Sequence, residues 1–168
     1  AAKGIGLSVA RAFAAEGAAV ALADISEEES KKQSLEIKET YGVDAIGVKC
    51  DVGDTISVQN AIKETSEAFN GLDTIACMAA TLTERLDVVD LPEDEWNRTL
   101  NVNLTGSFLV CKHGIPFLRE AGGGSIILTA SQMGQVAWPG STAYCTTKGG
   151  ILQLVKGIAL DHKDENIR

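Results

Sequence analysis

Short apolar runs alternate with amphipathic stretches along the whole chain. Four runs are apolar or rich in β-forming residues, as strands buried on both faces should be: 18–24, 44–50, 72–78 and 124–130. Positions with helical spacing lie between them and predict helices near 5–16, 26–41, 55–70, 92–120 and 142–163. This order predicts parallel strands joined by right-handed crossovers. We therefore expect a doubly wound α/β sheet in one domain over residues 1–168.

Several residues mark the predicted boundaries of these helices. Ser26 precedes an acidic first turn, and Pro92 is typical of a first helical position. Gly17 and Gly71 are expected to cap the ends of two helices. The segment Thr81–Leu91 is predicted to be a loop at the carboxyl edge of the sheet, where such sheets bind ligands.

Composition and charge narrow the possible partners. Of the 168 residues, 45% are hydrophobic and 23% charged, which is ordinary for a globular protein. The net charge of −8 argues against nucleic-acid and anionic-membrane surfaces, and no apolar run approaches the ~18 residues of a membrane span. Four widely spaced cysteines predict free thiols in a reducing compartment, hence a cytoplasmic location. Two isolated histidines, His113 and His162, predict no metal site.

Both ends of the sequence look cut. The chain starts without Met inside a glycine-rich turn and stops at "ENIR" without a closing element. A targeting peptide upstream stays open.

The glycine-rich turn "AAKGIG" leads directly into the first predicted helix. Gly4 and Gly6 would let the backbone approach a diphosphate lying on the helix N-terminus. Asp24 follows Gly6 by 18 residues, at the end of the next strand, where an acid can bond a ribose hydroxyl. The alternative for Asp24 is an acid at the helix start before Ser26.

The stretch "TAYCTTKGG" places Tyr144 four positions before Lys148, on one face of a predicted helix. A free tyrosine titrates near ~10, too high for a general base at neutral pH. A fixed neighbouring cation favours the phenolate form. The alternative is a half-buried tyrosine beside an ordinary solvated lysine.

Five segments in order resemble motifs of the short-chain dehydrogenase/reductase family: "AAKGIG" (1–6), "CDV" (50–52), "NVNLTGSF" (101–108), "ILTAS" (127–131) and "YCTTK" (144–148). The 13-residue separation of Ser131 and Tyr144 is also the family's usual one. The first segment is similar to the family's glycine motif without its preceding strand. The resemblance therefore implies a Rossmann-like fold that lacks its first strand and its C-terminal substrate lid.

The resemblance implies hydride transfer between a nicotinamide cofactor and a secondary alcohol or ketone. Tyr144 would be the general acid/base, Ser131 would bond the reacting oxygen, and Asn103 would hold a water linking Lys148 to solvent. The implied cofactor-binding residues are Lys3, Gly4, Ile5, Gly6, Asp24, Asp51, Val52, Ala79, Tyr144 and Lys148. Because Asp24 would repel a 2′-phosphate, we expect NAD rather than NADP, although Lys3 favours the opposite choice.

The chain departs from the family at one motif. Where the family has Asn-Asn-Ala-Gly, this chain has Cys77-Met78-Ala79-Ala80, so only Ala79 matches. Three residues lie between Tyr144 and Lys148, whereas the enoyl-reductase branch of the family has six between its tyrosine and lysine. Gln132, Met133 and Trp138 are expected either to line the substrate pocket or to pack its loop.

The predicted partners are a small alcohol or carbonyl substrate and further copies of the chain. The helix after Tyr144 is apolar around much of its circumference, which favours burial on two sides. The family associates through this helix and the preceding one, so we expect a homodimer or homotetramer. Two other functions stay open: a non-catalytic NAD-binding protein, and an NAD-using epimerase or dehydratase of the extended branch.

Overall fold

The computed structural model describes all 168 residues. Contacts divide the chain into two compact units, Ala1–Leu72 and Asp73–Arg168. None of the helices combines the length and apolar character that crossing a bilayer requires. No cluster of three or more histidine, cysteine, aspartate or glutamate side chains suited to a metal ion is present.

The first unit alternates helices and strands. Its elements are α1 (Gly4–Ala15), β1 (Val20–Asp24), α2 (Glu27–Tyr41), β2 (Ala45–Lys49) and α3 (Thr55–Phe69). β1 and β2 are parallel, with Val20 opposite Ala45 and Asp24 opposite Lys49. Its core includes Leu22 and Ile37, which are almost completely buried.

The packing of α2 on β2 depends on a glycine. A Cβ atom at Gly47 would collide with the backbone of Ser30 and Lys31 in α2. The absence of a side chain therefore lets helix and strand approach closely.

The second unit holds the remaining elements. They are β3 (Thr74–Cys77), α4 (Glu93–Leu100), a π-helix (Asn101–Thr105), α5 (Gly106–Glu120), β4 (Ser125–Leu128), a 3₁₀ helix (Gln132–Gly134) and α6 (Thr142–Asp161). The segment Thr81–Leu91, predicted to be a loop, contains no helix or strand, so this prediction is confirmed.

The pairing of β3 with β4 corrects the expectation that all strands are buried on both faces. The strands are parallel, with Ile75 opposite Ile126 and Cys77 opposite Leu128. The same register pairs Ala76 with Ile127, and both are exposed, Ile127 to 43%. Opposed residues lie on one face of a sheet, so this face is open while the one that carries Ile75 is covered.

Helix ends differ in detail from the predicted caps. Pro92 is the N-cap of α4 rather than its first helical residue. After α3, Asn70 adopts the left-handed conformation (φ 55°) that ends the helix, ahead of the expected Gly71. Asp54 caps the start of α3 by accepting a 2.6 Å hydrogen bond from the Ser57 N–H.

The predicted helix over residues 92–120 is helical from Glu93 to Glu120 but not uniform. Five residues, Asn101–Thr105, form a π-helix between α4 and α5. Short π segments of this kind often mark functional sites.

Candidate active site

Lys148 lies on α6 with almost no exposed surface, at 2%. Its ammonium donates a 2.6 Å hydrogen bond to the carbonyl of Thr129, just beyond β4. Burial lowers the pKa of this lysine, because the charged form loses its hydration. A cation in this setting is held in one place rather than solvated at the surface.

Tyr144 lies one turn before Lys148 on the same helix and is half-buried. The Lys148 Nζ is 5.6 Å from the centroid of the Tyr144 ring. The structure therefore brings together the phenol and ammonium that the sequence pattern paired, and it excludes the alternative in which Lys148 is a solvated surface charge.

Ser131 lies at the start of the 3₁₀ helix, where its Oγ accepts a 3.1 Å hydrogen bond from the Met133 N–H. The oxygen acts here as an acceptor, so the hydroxyl proton stays available to donate. A Cβ at Gly134 would be 2.6 Å from the Lys148 carbonyl oxygen, so this short helix packs directly on α6. Of the expected rim residues, Gln132 and Trp138 are exposed and Met133 is half-buried.

Asn103 is completely buried within the π-helix. Its Oδ1 accepts a 2.7 Å hydrogen bond from the Thr81 N–H, and its Nδ2 donates to the Thr81 carbonyl at 2.9 Å. A longer contact of 3.4 Å joins Nδ2 to the Thr147 hydroxyl, which donates to the Tyr144 carbonyl. The amide thus ties the loop after β3 to α6. The expected water bridge to Lys148 stays a prediction.

The glycine-rich turn in the first unit leaves the start of α1 open. Gly4 is exposed and left-handed (φ 59°), with open space where a side chain would be. Lys3, the N-cap of α1, makes no side-chain capping bond. Unsatisfied N–H groups at the start of a 12-residue helix attract phosphate groups, so the turn fits a diphosphate.

Asp24 ends β1 with its carboxylate engaged by the main chain. It accepts hydrogen bonds from the Ala2 N–H at 2.8 Å and the Ser26 N–H at 3.0 Å. Partial burial opposes its charge, but the hydrogen bonds outweigh it and lower the pKa of this carboxyl. The bond from Ser26 is the one required if Asp24 serves as an acid at the start of α2. Whether Asp24 has this role or binds a ribose, its carboxylate is ionised at neutral pH.

Asp51 and Val52 lie in the turn after β2. The Asp51 N–H donates to the Ser57 hydroxyl at 2.9 Å, and its carboxylate accepts from the Gly53 N–H at 2.9 Å. Asp51 is exposed and Val52 is half-buried. The main chain of this turn is therefore fixed, while the surface of Asp51 stays open.

Comparison with known proteins identifies the family. A family model described as "Enoyl-(Acyl carrier protein) reductase" matches residues 1–168. The 2,5-dichloro-2,5-cyclohexadiene-1,4-diol dehydrogenase of Sphingobium indicum is 36% identical over 167 residues. An uncharacterized short-chain type dehydrogenase/reductase of Sinorhizobium fredii is 33% identical over 168 residues. The chain belongs to the short-chain dehydrogenase/reductase family.

The alignments to both relatives cover 99% of this chain but 66% of the relatives' own length. A 3-ketoacyl-ACP reductase from Sinorhizobium meliloti 1021 superposes with a TM-score of 0.96 at 32% identity, over 99% of this chain and 66% of that one. The Rossmann-like α/β fold predicted from the sequence is confirmed.

The segment that departs from the short-chain dehydrogenase/reductase pattern is held by sulfur contacts. The Cys77 thiol lies 3.8 Å from the Ser107 hydroxyl, and the Thr129 hydroxyl donates to the Met78 sulfur at 2.7 Å. Burial raises the pKa of the Cys77 thiol despite the Ser107 contact. The asparagine bonds expected of the family are thus replaced by thiol and thioether contacts, while Ala79 and Ala80 are exposed.

Three threonines of the site were missed by the sequence analysis. Thr81, Thr129 and Thr147 contact Asn103, Lys148 and the Tyr144 carbonyl, respectively. Two of these contacts use main-chain atoms of the threonine, which every residue type supplies. Only the hydroxyl of Thr147, three positions after Tyr144, leaves a local signal in the sequence.

Proposed function

We propose that this chain is part of a nicotinamide-dependent oxidoreductase that interconverts a secondary alcohol and a ketone. The observation that carries the proposal is the buried Lys148 ammonium, 5.6 Å from the ring of Tyr144 on one helix. Holding a charge away from water is costly, and the cost is understandable where that charge assists a reaction. The family membership and the relatives named as dehydrogenases support the same reaction class.

The chain's own residues would supply proton transfer and position. In alcohol oxidation, Tyr144 would take the hydroxyl proton, and in ketone reduction it would return it. Lys148 would favour the phenolate that acts as the base. Ser131 would donate its free hydroxyl proton to the oxygen on which charge develops. Asn103 would keep the loop after β3 in place through Thr81.

A nicotinamide dinucleotide fits the residues at the turn before α1. Lys3, Gly4, Ile5 and Gly6 would hold its diphosphate, since the helix start there is uncapped and open. Asp24 would contact the adenosine ribose, and Asp51 and Val52 would contact the adenine. The remaining part of the dinucleotide would be bound by Ala79, Tyr144 and Lys148. When bound, the nicotinamide supplies or accepts the hydride. We propose NAD as the cofactor, because Asp24 is ionised.

Enoyl reduction is a second candidate, because the matching family model carries that description. The separation of Tyr144 and Lys148 favours carbonyl chemistry instead. An activity panel decides between them: a cyclic diol, a 3-ketoacyl thioester and an enoyl thioester, each scored by NADH absorbance. Turnover of the enoyl thioester alone would contradict the carbonyl proposal.

The experiment that tests the proton-transfer assignment is Tyr144→Phe in the intact protein. We expect turnover to fall about 10²–10⁴-fold, the usual contribution of a general acid/base, with cofactor affinity nearly unchanged. The matched control is Tyr41→Phe, which removes the only other phenol of the chain. Tyr144→Phe activity within tenfold of wild type would end the assignment. If the wild type and the variant bind NAD equally and the wild type turns over no substrate, the non-catalytic alternative is favoured.

We also propose that the intact protein is a homodimer or homotetramer. On α6, Ile151 is buried, whereas Val155 and Leu160 are exposed to 37% and 71%. Exposed apolar side chains on a helix favour a partner surface. Sedimentation of the intact protein measures the number of copies, and a monomer at micromolar concentration would contradict this part of the proposal.

A further inference from the structure

The ammonium of Lys148 depends on one main-chain oxygen. A buried cation needs a hydrogen-bond acceptor, and the Thr129 carbonyl supplies it at 2.6 Å. The location of this carbonyl therefore decides where the ammonium lies relative to the Tyr144 ring. β4 ends at Leu128, so the Thr129 carbonyl lies beyond the last pair of the sheet.

Two other groups of Thr129 are tied to the end of β3. Its N–H donates to the Cys77 carbonyl at 3.2 Å, and its hydroxyl donates to the Met78 sulfur at 2.7 Å. The first bond fixes the peptide group before Thr129. The second holds the side chain in one rotamer. With its N–H and its side chain both fixed, Thr129 has little freedom to turn its carbonyl away from Lys148.

We propose that Thr129 is a positioning residue for Lys148, and that the thioether of Met78 holds Thr129 in place. Met78 lies in the segment that departs from the family's Asn-Asn-Ala-Gly pattern. The departure is then compensated, since the sulfur of Met78, directly after β3, steadies the carbonyl that receives the Lys148 ammonium. The inference rests on the proposed function, in which Lys148 assists Tyr144.

Three single variants and one double variant test the contact. Thr129→Val removes the hydroxyl at nearly constant shape, Thr129→Ser keeps it, and Met78→Leu removes the acceptor at nearly constant volume. We expect Thr129→Val and Met78→Leu each to lower kcat roughly tenfold to a hundredfold with little change in KM, as a misplaced catalytic group does. Thr129→Ser should retain most of the wild-type kcat.

The double variant of Thr129→Val and Met78→Leu separates a shared contact from two independent effects. If the hydroxyl acts through the sulfur, the double variant is no slower than the slower single variant. Multiplied losses would overturn the proposal. Thermal unfolding of each variant identifies any that fails to fold. If one of Thr129→Val and Met78→Leu does not fold, the kcat of the other is compared with that of Thr129→Ser.

A second measurement needs neither substrate nor cofactor. The rate of reductive methylation of Lys148, followed by mass spectrometry over pH, reports the fraction of neutral amine. A carbonyl that is no longer fixed stabilises the ammonium less, so the half-titration pH should fall in Thr129→Val and Met78→Leu. The other titratable groups that face the ammonium, Cys77 and Tyr144, are unchanged in these variants.

The two measurements distinguish failure of the inference from failure of the proposed function. An unmoved methylation profile in both variants would overturn the positioning role. A shifted profile in a protein whose wild type oxidises no alcohol would uphold the positioning of Lys148 and reject the reaction proposed for it.

Discussion

In the proposed function, the carboxylate of Asp24 decides between the two nicotinamide cofactors. Its lowered pKa keeps it ionised at every pH at which an enzyme is assayed. A 2′-phosphate beside it, at ~4–5 Å and an effective dielectric of ~20, would be repelled by several kcal/mol. After screening, about 2–3 kcal/mol should remain, or roughly a hundredfold in affinity. Lys3, a proposed contact of the diphosphate, would oppose this preference.

Asp24→Ala should reduce the preference for NAD over NADP, measured as the ratio of kcat/KM values for one substrate. We expect the wild-type ratio to be constant from pH 7.5 to pH 9, where the carboxylate and the 2′-phosphate of NADP are both ionised. The control is Asp44→Ala, an exposed acid whose side chain pairs with Lys38. An NADP preference in the wild type, or a ratio unmoved by Asp24→Ala, would show that Asp24 serves only the start of α2.

At the scale of elements, the periodicity of apolar residues predicted the strands and helices well, with boundaries shifted by only a few residues. The π-helix could not be predicted in this way. Asn103 looks like a single polar residue in a helix, and its partner Thr81 lies 22 positions earlier in an irregular segment. Tyr144 and Lys148 were predictable as neighbours because helix geometry fixes residues four apart. The contact of Thr129 with Met78 joins residues 51 positions apart and has no local signal.

The packing of the 3₁₀ helix on α6 gives a prediction at Gly134. A methyl group there would lie 2.6 Å from the Lys148 carbonyl oxygen and 2.8 Å from its carbon, both backbone atoms. Gly134→Ala should therefore destabilise the protein by about 1–3 kcal/mol and lower kcat, because α6 must move. Urea unfolding and steady-state kinetics measure the two effects.

Gly157→Ala is the matched control for Gly134→Ala. Gly157 is exposed within α6 and has open space around its Cβ position. Alanine there should stabilise the helix by about 0.5–1 kcal/mol. Equal stability of Gly134→Ala and wild type would mean that the 3₁₀ helix and α6 separate easily.

At the scale of the whole molecule, buried thiols make stability depend on alkaline pH. Burial raises the pKa of Cys111 from 9.0 to about 12, and it also raises the pKa of Cys77. An unfolded chain releases these protons near pH 9, whereas the folded chain retains them. The stabilisation is complete below pH 9 and is lost as the pH rises towards 12.

Cys111→Ala should flatten this dependence. Between pH 9 and pH 12, the free energy of unfolding of the wild type should fall more steeply than that of Cys111→Ala, by about 1.4 kcal/mol per pH unit. Lys148 contributes the opposite slope, because its pKa is lowered, but it does so equally in both proteins. Cys145→Ala, at a half-buried thiol, is the control. Parallel curves for wild type and Cys111→Ala would contradict the assignment.

The anchoring of Thr81 has a consequence for how the protein can diversify. Asn103 holds its main chain from both sides, and Arg98 donates a 2.8 Å hydrogen bond to its hydroxyl. The loop that follows thus starts at a fixed residue and ends at Pro92, the cap of α4. Lengthening a loop with fixed ends costs only about 0.6 kcal/mol for each doubling. Insertions between Leu82 and Leu91 should therefore be tolerated while Tyr144 and Lys148, the residues proposed for proton transfer, stay where they are.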